Sequence, residues 1–387
     1  MSERTRRGRV VRWGVPIATI AVVAGAIGAG PVIAAVQGEP ALPQRTAQQL
    51  LADATRAAES GLKPMSGTVM QTASLGLPAL PGMAGASPAA LLAGSHELKV
   101  WYGGADRVRF ALPGRMSETD LIINGGQVWL WDSQAHKATR IKGAPTEDPA
   151  GARLTRDHTA ALPSATTPQQ LAEEALKRAD ADTVVSVSNT ERVADRPAYQ
   201  LVLAPKDGSS LVKEIRLALD GETLIPLRVQ IYAKSAAEPA FEVGFTSVTF
   251  TPPAEDNFAF TPPAGAKVEE KSLTDLGRDP QAGQERAEEL KSEVKTVGKG
   301  WTTVAILPFS LDDLKDQARS QPEGRPAGQD ATAITDTLLK AAKPVSGTWG
   351  SGRVIQTKLV SALLTDDGRL LVGAVTPDKL TEAAGQG

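Results

Sequence analysis

Tyr199-Gln-Leu-Val-Leu203, Leu211-Val-Lys-Glu-Ile-Arg-Leu-Ala-Leu219, Leu227-Arg-Val-Gln-Ile-Tyr232 and Phe241 to Phe250 read as four consecutive strands within the stretch Asp182–Val268. Their connections are short and carry turn chemistry: Pro205-Lys-Asp-Gly208, Asp220-Gly221, and Lys234 to Pro239. Lys213 and Arg216 interrupt the apolar run, while Leu211, Ile215, Leu217 and Leu219 stay apolar. Period-two patterning between Gly/Asp turns marks antiparallel hairpins with one buried and one wet face. The run closes on Phe258-Ala-Phe260-Thr-Pro-Pro263-Ala-Gly265, a Pro-Pro stop that no central strand absorbs.

Upstream, Asp182 to Arg192 is the strand that leads in. Before it, Glu97–Tyr102, Arg107–Leu112, Ser117–Asn124, Gln127–Ser133 and Lys137–Lys142 read as five more strands. Gly103-Gly104, Pro113-Gly114 and Asn124-Gly125-Gly126 connect them, and Asn-Gly is a strong hairpin signal. Trp129 and Trp131 share one face of their strand, and Val128 and Leu130 take the other. The tryptophan pair reads either as core or as part of a ligand site. Earlier still, the capping box Thr46-x-x-Gln49 opens a helix with Leu50, Leu51, Ala54, Ala57 and Ala58 on one face, and Ser66–Thr72 follows as a first strand. Thr167-Pro-Gln-Gln170 opens another helix, with Pro168 at its first position. Ala73 to Gly94 carries no charge and is rich in Gly, Pro, Ala and Leu, so it reads either as a plain loop or as an apolar lid.

The N-terminus holds Arg4, Arg6, Arg7, Arg9 and Arg12 against Glu3, and no charge follows from Trp13 to Gly38. About 20 apolar residues suffice to cross a bilayer as a helix, and the basic flank would hold the N-terminus in the cytoplasm. Residues 1–38 are therefore expected to be a transmembrane anchor, giving a single-pass cell-membrane protein with its domains outside. The competing expectation is a signal peptide cleaved after Ala34 or Ala35, with a secreted product. At the other end, Lys271 to Gly300 reads as a charged linker. Residues 301–380 read as a small α+β module, with a strand at Trp301–Leu307, helices from Ser310 and Thr332, and a hairpin across Thr365-Asp-Asp-Gly368.

The chain has 387 residues and a formal charge of −2, which does not suggest a nucleic-acid partner. With no cysteine, disulfides, thiolate catalysis and Cys-zinc sites are excluded. His96, His136 and His158 are scattered, and none sits with carboxylates at metal-ligand spacing. Asp312-Asp313 and Asp366-Asp367 fit a helix start and a turn. Gly347-Thr-Trp-Gly-Ser-Gly352 lacks the Lys-Ser/Thr of a phosphate loop. No catalytic residue, metal or cofactor is expected, and the chain is expected not to be an enzyme.

The order Tyr199-x-Leu-x-Leu203, a strand ending in Asp220, Pro226 opening the next strand, a Phe-bearing strand, then Phe258-x-Phe260-x-Pro-Pro263-x-Gly265 resembles the second half of the LolA/RseB-like fold. The resemblance covers residues 46–270 and suggests an actinobacterial envelope protein of that group. It implies an α+β fold: a curved antiparallel half-barrel around an apolar cavity, with helices over its concave face. The small module after residue 300 resembles the two-domain plan of RseB-type regulators. The lack of any cysteine departs from the lipoprotein members, which carry a lipid on one. The expected role is noncovalent binding of a lipid or lipidated protein in the cavity. The alternatives are a regulator holding the extracytoplasmic part of an anti-sigma factor, and a structural envelope scaffold. Alternation picks Val100, Phe110, Trp129, Tyr199, Leu217, Ile231 and Phe245 as candidate lining positions.

Overall fold

The structure is a computed structural model and describes residues 42–59, 62–77, 93–142, 167–168, 182–272, 294–309 and 337–386. In chain order, helix α1 (Ala47–Glu59) precedes six strands: β1 (Met65–Ser74), β2 (Ala93–Gly104), β3 (Arg107–Pro113), β4 (Glu118–Asn124), β5 (Gln127–Asp132) and β6 (Lys137–Lys142). A second run follows as β7 (Thr183–Val193), β8 (Arg196–Pro205), β9 (Val212–Asp220), β10 (Pro226–Ala233) and β11 (Pro239–Thr249), and then β12 (Lys267–Ser272). All twelve strands form one sheet, in the order β12-β6-β5-β4-β3-β2-β1-β11-β10-β9-β8-β7.

Local chemistry explains these elements. The four strands of the organising stretch run as an antiparallel meander, with Tyr199 opposite Leu219 and Leu217 opposite Val229. Asp220 ends β9 and seals the turn to β10. Its carboxylate accepts the backbone N–H of Thr223 at 2.8 Å and is gripped by Arg196. These bonds, with Arg196 first among those that favour ionisation, outweigh burial and hold Asp220 below the usual carboxylate range. Gly125 and Gly126 sit at positive φ between β4 and β5, as an Asn-Gly hairpin turn requires.

A six-stranded second sheet contains β13 (Lys295–Val297), β14 (Val304–Pro308), β15 (Lys343–Gly347), β16 (Gly350–Gln356), β17 (Ser361–Thr365) and β18 (Arg369–Gly373), in the order β13-β14-β18-β17-β16-β15. Helix α2 (Pro377–Ala384) packs Leu380, Ala383 and Ala384 into its core against Leu363 and Leu371. Proline at the first helical turn starts α2, a signal that the sequence reading passed over. The first arm of the hairpin expected across Thr365–Gly368 is two strands, β16 and β17, because the Thr357 hydroxyl accepts the Val360 N–H and closes a turn between them. Trp301 lies in a 3-10 turn (Gly300–Thr302), ahead of β14 rather than inside it.

Two expectations are corrected. The large sheet is not a half-barrel with helices across a concave face. It is an open mixed sheet, with β12 and β7 at opposite edges and β12 running parallel to β6. Alternation reports that a strand has one buried face, and that pattern is the same in open and in curled sheets. The second is the transmembrane helix expected at residues 1–38, which has no counterpart in the structure's described residues. Among the described residues no helix is long and apolar enough to cross a membrane. The span Trp13–Gly38, most of the proposed lid, the helix from Thr167 beyond Pro168, residues 273–293 of the expected linker and the helix from Ser310 lie outside the described residues, while both ends of that linker belong to strands β12 and β13.

Candidate functional site

The large sheet has two dissimilar faces. Cross-strand register defines the first as rows of apolar side chains. One row runs Leu130, Leu121, Phe110, Val100 and reaches Gly67. Another runs Val187, Leu201, Leu217, Val229, Val243. Phe245 pairs with Val69 beside a bulge in β11 at Thr246. A Cβ on Gly67 would lie 2.4 Å from the Ser247 carbonyl and 3.0 Å from the Phe245 ring, so only glycine fits there.

Helix α1 lies on this face, with Leu50 and Ala54 in the shared core. Its capping box forms as expected: the Gln49 N–H donates to the Thr46 hydroxyl at 3.2 Å, and the Thr46 N–H donates to the Gln49 side chain at 3.0 Å. The segment before α1 is fixed by Tyr199, whose hydroxyl donates to the Pro43 carbonyl at 2.8 Å under the Arg45 guanidinium.

The second face carries cations and aromatics. Arg140, Trp129, Ile122, Arg109 and Trp101 form one row across five strands. Arg140 lies 5.8 Å from the Trp129 ring and Arg109 5.4 Å from the Trp101 ring. Residues 255–266 strap across this face. Arg107 pairs with Glu255 at 3.1 Å, and the Asn124 amide donates to the Phe258 carbonyl at 3.3 Å. The Phe258 ring is buried over Gly103, where an added Cβ would come within 3.1 Å of it. Phe260 stacks on Trp129 and Trp131 at 5.6 and 6.1 Å. The Lys267 N–H then donates to the His136 carbonyl and starts β12 beside β6. The Phe-Pro run, read from sequence as a strand's end, is thus a strap. Its two consecutive prolines lack the N–H a ladder needs, which was the available signal.

Asp120 is the one strongly perturbed carboxylate of this face. It is 1% exposed and sits 2.8 Å from Arg109. Burial pushes its pKa up to about 6, against the opposing Arg109 bond and with the nearby Glu118 adding to the rise. Arg109 also reaches the strap, at the Asn257 carbonyl.

Val100, Phe110, Tyr199, Leu217 and Phe245 all belong to the first face's core, and Ile231 packs against it. Trp129 does not join them, since it projects from the opposite face beneath Phe260. Sequence reasoning missed the contacts that join the two sheets. Trp301 inserts into the large sheet's core and donates from its indole to the Thr183 hydroxyl at 2.8 Å. Ser210 bridges to Val375, and the Leu211 N–H donates to the Ala374 carbonyl at 2.8 Å. The Lys358 N–H donates to the Leu75 carbonyl at 2.8 Å, and Leu359 is buried in the same core. Two of these contacts begin in apolar residues that look like ordinary core of the small module, so they carry no local signature. Among the described residues no group of three or more His, Cys, Asp or Glu could hold a metal ion. What both faces offer chemically is apolar burial, cation–π contact and paired charge, which is the chemistry of binding.

A family profile described as a predicted periplasmic protein (DUF2092) matches residues 87–269, somewhat less than half of the chain. That description is of a periplasmic protein, where the sequence led to a single-pass membrane location, and no described helix is long and apolar enough to cross a membrane. No curated protein matches. Among solved structures, the chain is similar to one from the Pseudomonas aeruginosa MucA/MucB complex, at 16% identity over 87% of this chain and 96% of that one, with a TM-score of 0.37. It is similar to an uncharacterized conserved protein of Thermus thermophilus at 13% identity, covering 58% of this chain and 99% of that one, with a TM-score of 0.31. A LolA superfamily protein of Nitrosomonas europaea matches at 12% identity, covering 56% of this chain and 99% of that one, with a TM-score of 0.21.

Proposed function

We propose that this protein is a non-enzymatic, extracytoplasmic member of the LolA/RseB-like group that acts as a regulator by holding a polypeptide partner, the extracytoplasmic part of an anti-sigma factor. The observation that carries the reading is the joining of the two sheets. Trp301, Leu359 and the Ser210–Val375 bridge tie the small sheet to the large one at several points, two of them inside the large sheet's core. A composite body of this kind offers a long, fixed surface to a protein chain.

The expected lipid carrier is the second reading. The continuous apolar face favours it. Against it, Tyr199, Leu201, Leu217 and Val229 are at most 1% exposed and sit in register with apolar cross-strand neighbours, which leaves an acyl chain little surface to meet at these positions. The scaffold alternative has no separate observation in its favour.

The test is affinity capture from solubilised bacterial envelopes with the purified protein as bait, followed by crosslinking. Recovery of a membrane protein crosslinked through its extracytoplasmic segment is the expected result. Recovery of acylated lipoproteins that compete with free fatty acid would replace the regulator reading with the carrier.

A further inference from the structure

We infer that the outer edge of β7 is a docking site for one extended peptide segment of a partner protein, which adds to the large sheet as a thirteenth strand. The inference deepens the polypeptide-binding reading, because it names where and how such a partner is gripped.

The two edges of the large sheet are built differently. Strand β12 is defended by charge, with Lys267, Glu269, Glu270 and Lys271 along six residues. Charged side chains are a common protection against unwanted pairing. Strand β7 has none of this from Thr183 to Thr190, a run of Thr, Val, Ser and Asn. It is β-branched, uncharged and ends the sheet. Such an edge is a template for a further strand.

Its hydrogen-bonding geometry can be read residue by residue. The Lys206 N–H donates to the Asp182 carbonyl at 3.0 Å, so Asp182 turns its backbone toward β8. Antiparallel ladders alternate bonded and non-bonded pairs. Register is unbroken from Thr183 opposite Pro205 to Ser188 opposite Gln200. Val184, Ser186 and Ser188 therefore bond inward, and Val185 and Val187 direct their N–H and C=O groups outward. Pro205, which has no N–H, stands opposite Thr183 in a non-bonded pair, as this assignment requires. The side chains of Val185 and Val187 are partly buried at the ends of the apolar rows, and Val184 is 50% exposed on the other face. An added strand would continue those rows with apolar residues beside Val185 and Val187 and turn polar residues outward.

The occupant follows from what flanks the edge. At one end Trp301 covers Thr183. At the other, the chain's own Leu42 already pairs with the strand: its N–H donates to the Asn189 carbonyl, and the Asn189 amide donates back to the Leu42 carbonyl at 2.6 Å. Among the described residues the open window is Val184–Ser188, about 17 Å long for five residues. A second copy approaching edge to edge would bring its own Trp301 and Leu42 flanks into that window. A single extended peptide enters without them.

The test uses the full chain and a synthetic peptide alternating threonine and valine, with an N-methylated version that cannot form ladder bonds. Amide exchange at Val185 and Val187 should slow with the peptide and stay unchanged with the N-methylated one. Val187→Pro removes an outward N–H that β8 does not use and should weaken peptide binding by about tenfold or more. Ser186→Lys, at an exposed side chain, should also weaken binding and serves if the proline variant fails to fold, whereas Val268→Pro on the charged edge should leave binding unchanged. Protection at other amides, equal binding by Val187→Pro and Ser186→Lys, or a dimer of the full chain that the peptide disrupts would overturn the inference. If both edge variants still capture the envelope partner, the edge role fails while the polypeptide reading stands. If peptide protection is seen but no partner is captured, the reverse holds.

Discussion

The two faces of the large sheet do different work with the same strands. On one, Leu201, Leu217, Val229 and Val243 interlock with cross-strand neighbours and are at most 1% exposed. On the other, Trp129, Trp131 and Phe260 are only partly buried, and Arg107, Arg109 and Arg140 sit among them. The first face is a core, closed by α1 and by Trp301 from the second sheet. The second face is held by a strap whose attachment is one ion pair, a few hydrogen bonds, two aromatic contacts and one buried ring. The lesson is that alternation along a strand says which residues share a face but not which face is the core. Trp129 and Phe110 looked equivalent in the sequence and lie on opposite sides of the sheet.

That contrast can be tested by substitutions of graded effect. Leu217→Ala, at the centre of the first face, should lower global stability by about 4 kcal/mol in chemical denaturation, through lost burial and a residual cavity. A loss near that of a surface change would mean the face is loosely packed. Phe258→Ala should cost about 3 kcal/mol. Its effect should be largely local: shifted tryptophan emission and faster proteolysis within residues 259–266, with the first face's amides still protected. If the whole sheet opens instead, the strap is part of the core and the two faces are not separable.

The pH response should distinguish the faces more finely. Asp120 has its folded pKa raised to about 6, above the ordinary value near 3.8. The folded state therefore binds a proton more readily than the unfolded state, and the ionised carboxylate weighs against folding at neutral pH. Stability should rise as pH falls through 6 toward 4.5, by about 1 kcal/mol once solvent screening is allowed for. Asp120→Asn should flatten that rise. Below that window, Asp220, whose pKa is depressed, should lose its stabilising contribution as pH falls through its folded value, so the profile should turn over. The smallest effect is expected for Trp129→Ala, at less than about 1 kcal/mol, because a half-exposed aromatic under one strap residue contributes little beyond its stacking. A loss as large as that for Leu217→Ala would place Trp129 in a core after all.

Much of the meander was legible, because period-two alternation and Asp-Gly or Asn-Gly turns are local signals. Strands β2 to β6 and β8 to β11 lie close to where those signals put them. The capping box at Thr46 was legible for the same reason. What was not legible depended on contacts distant in sequence. Strand β12 pairs with β6 across more than a hundred residues, and its last two residues, Lys271 and Ser272, looked like the start of a linker. Trp301 looked like the first residue of a strand in the small module, and its indole reaches Thr183 instead. Curvature was inferred from resemblance, and nothing in the alternation of Val100, Phe110 or Leu217 encodes it. For the candidate site, the sequence identified five residues of one core and a sixth packed on it. It could not say that the seventh faced away.

The most direct test of the polypeptide-binding proposal is native mass spectrometry of the protein isolated gently from the envelope of a bacterial host. A co-isolated polypeptide, held at one per chain and released by Ser186→Lys, is the expected result. A stoichiometric acyl lipid with no polypeptide would contradict it, and would show that the interlocked apolar face opens to take a chain.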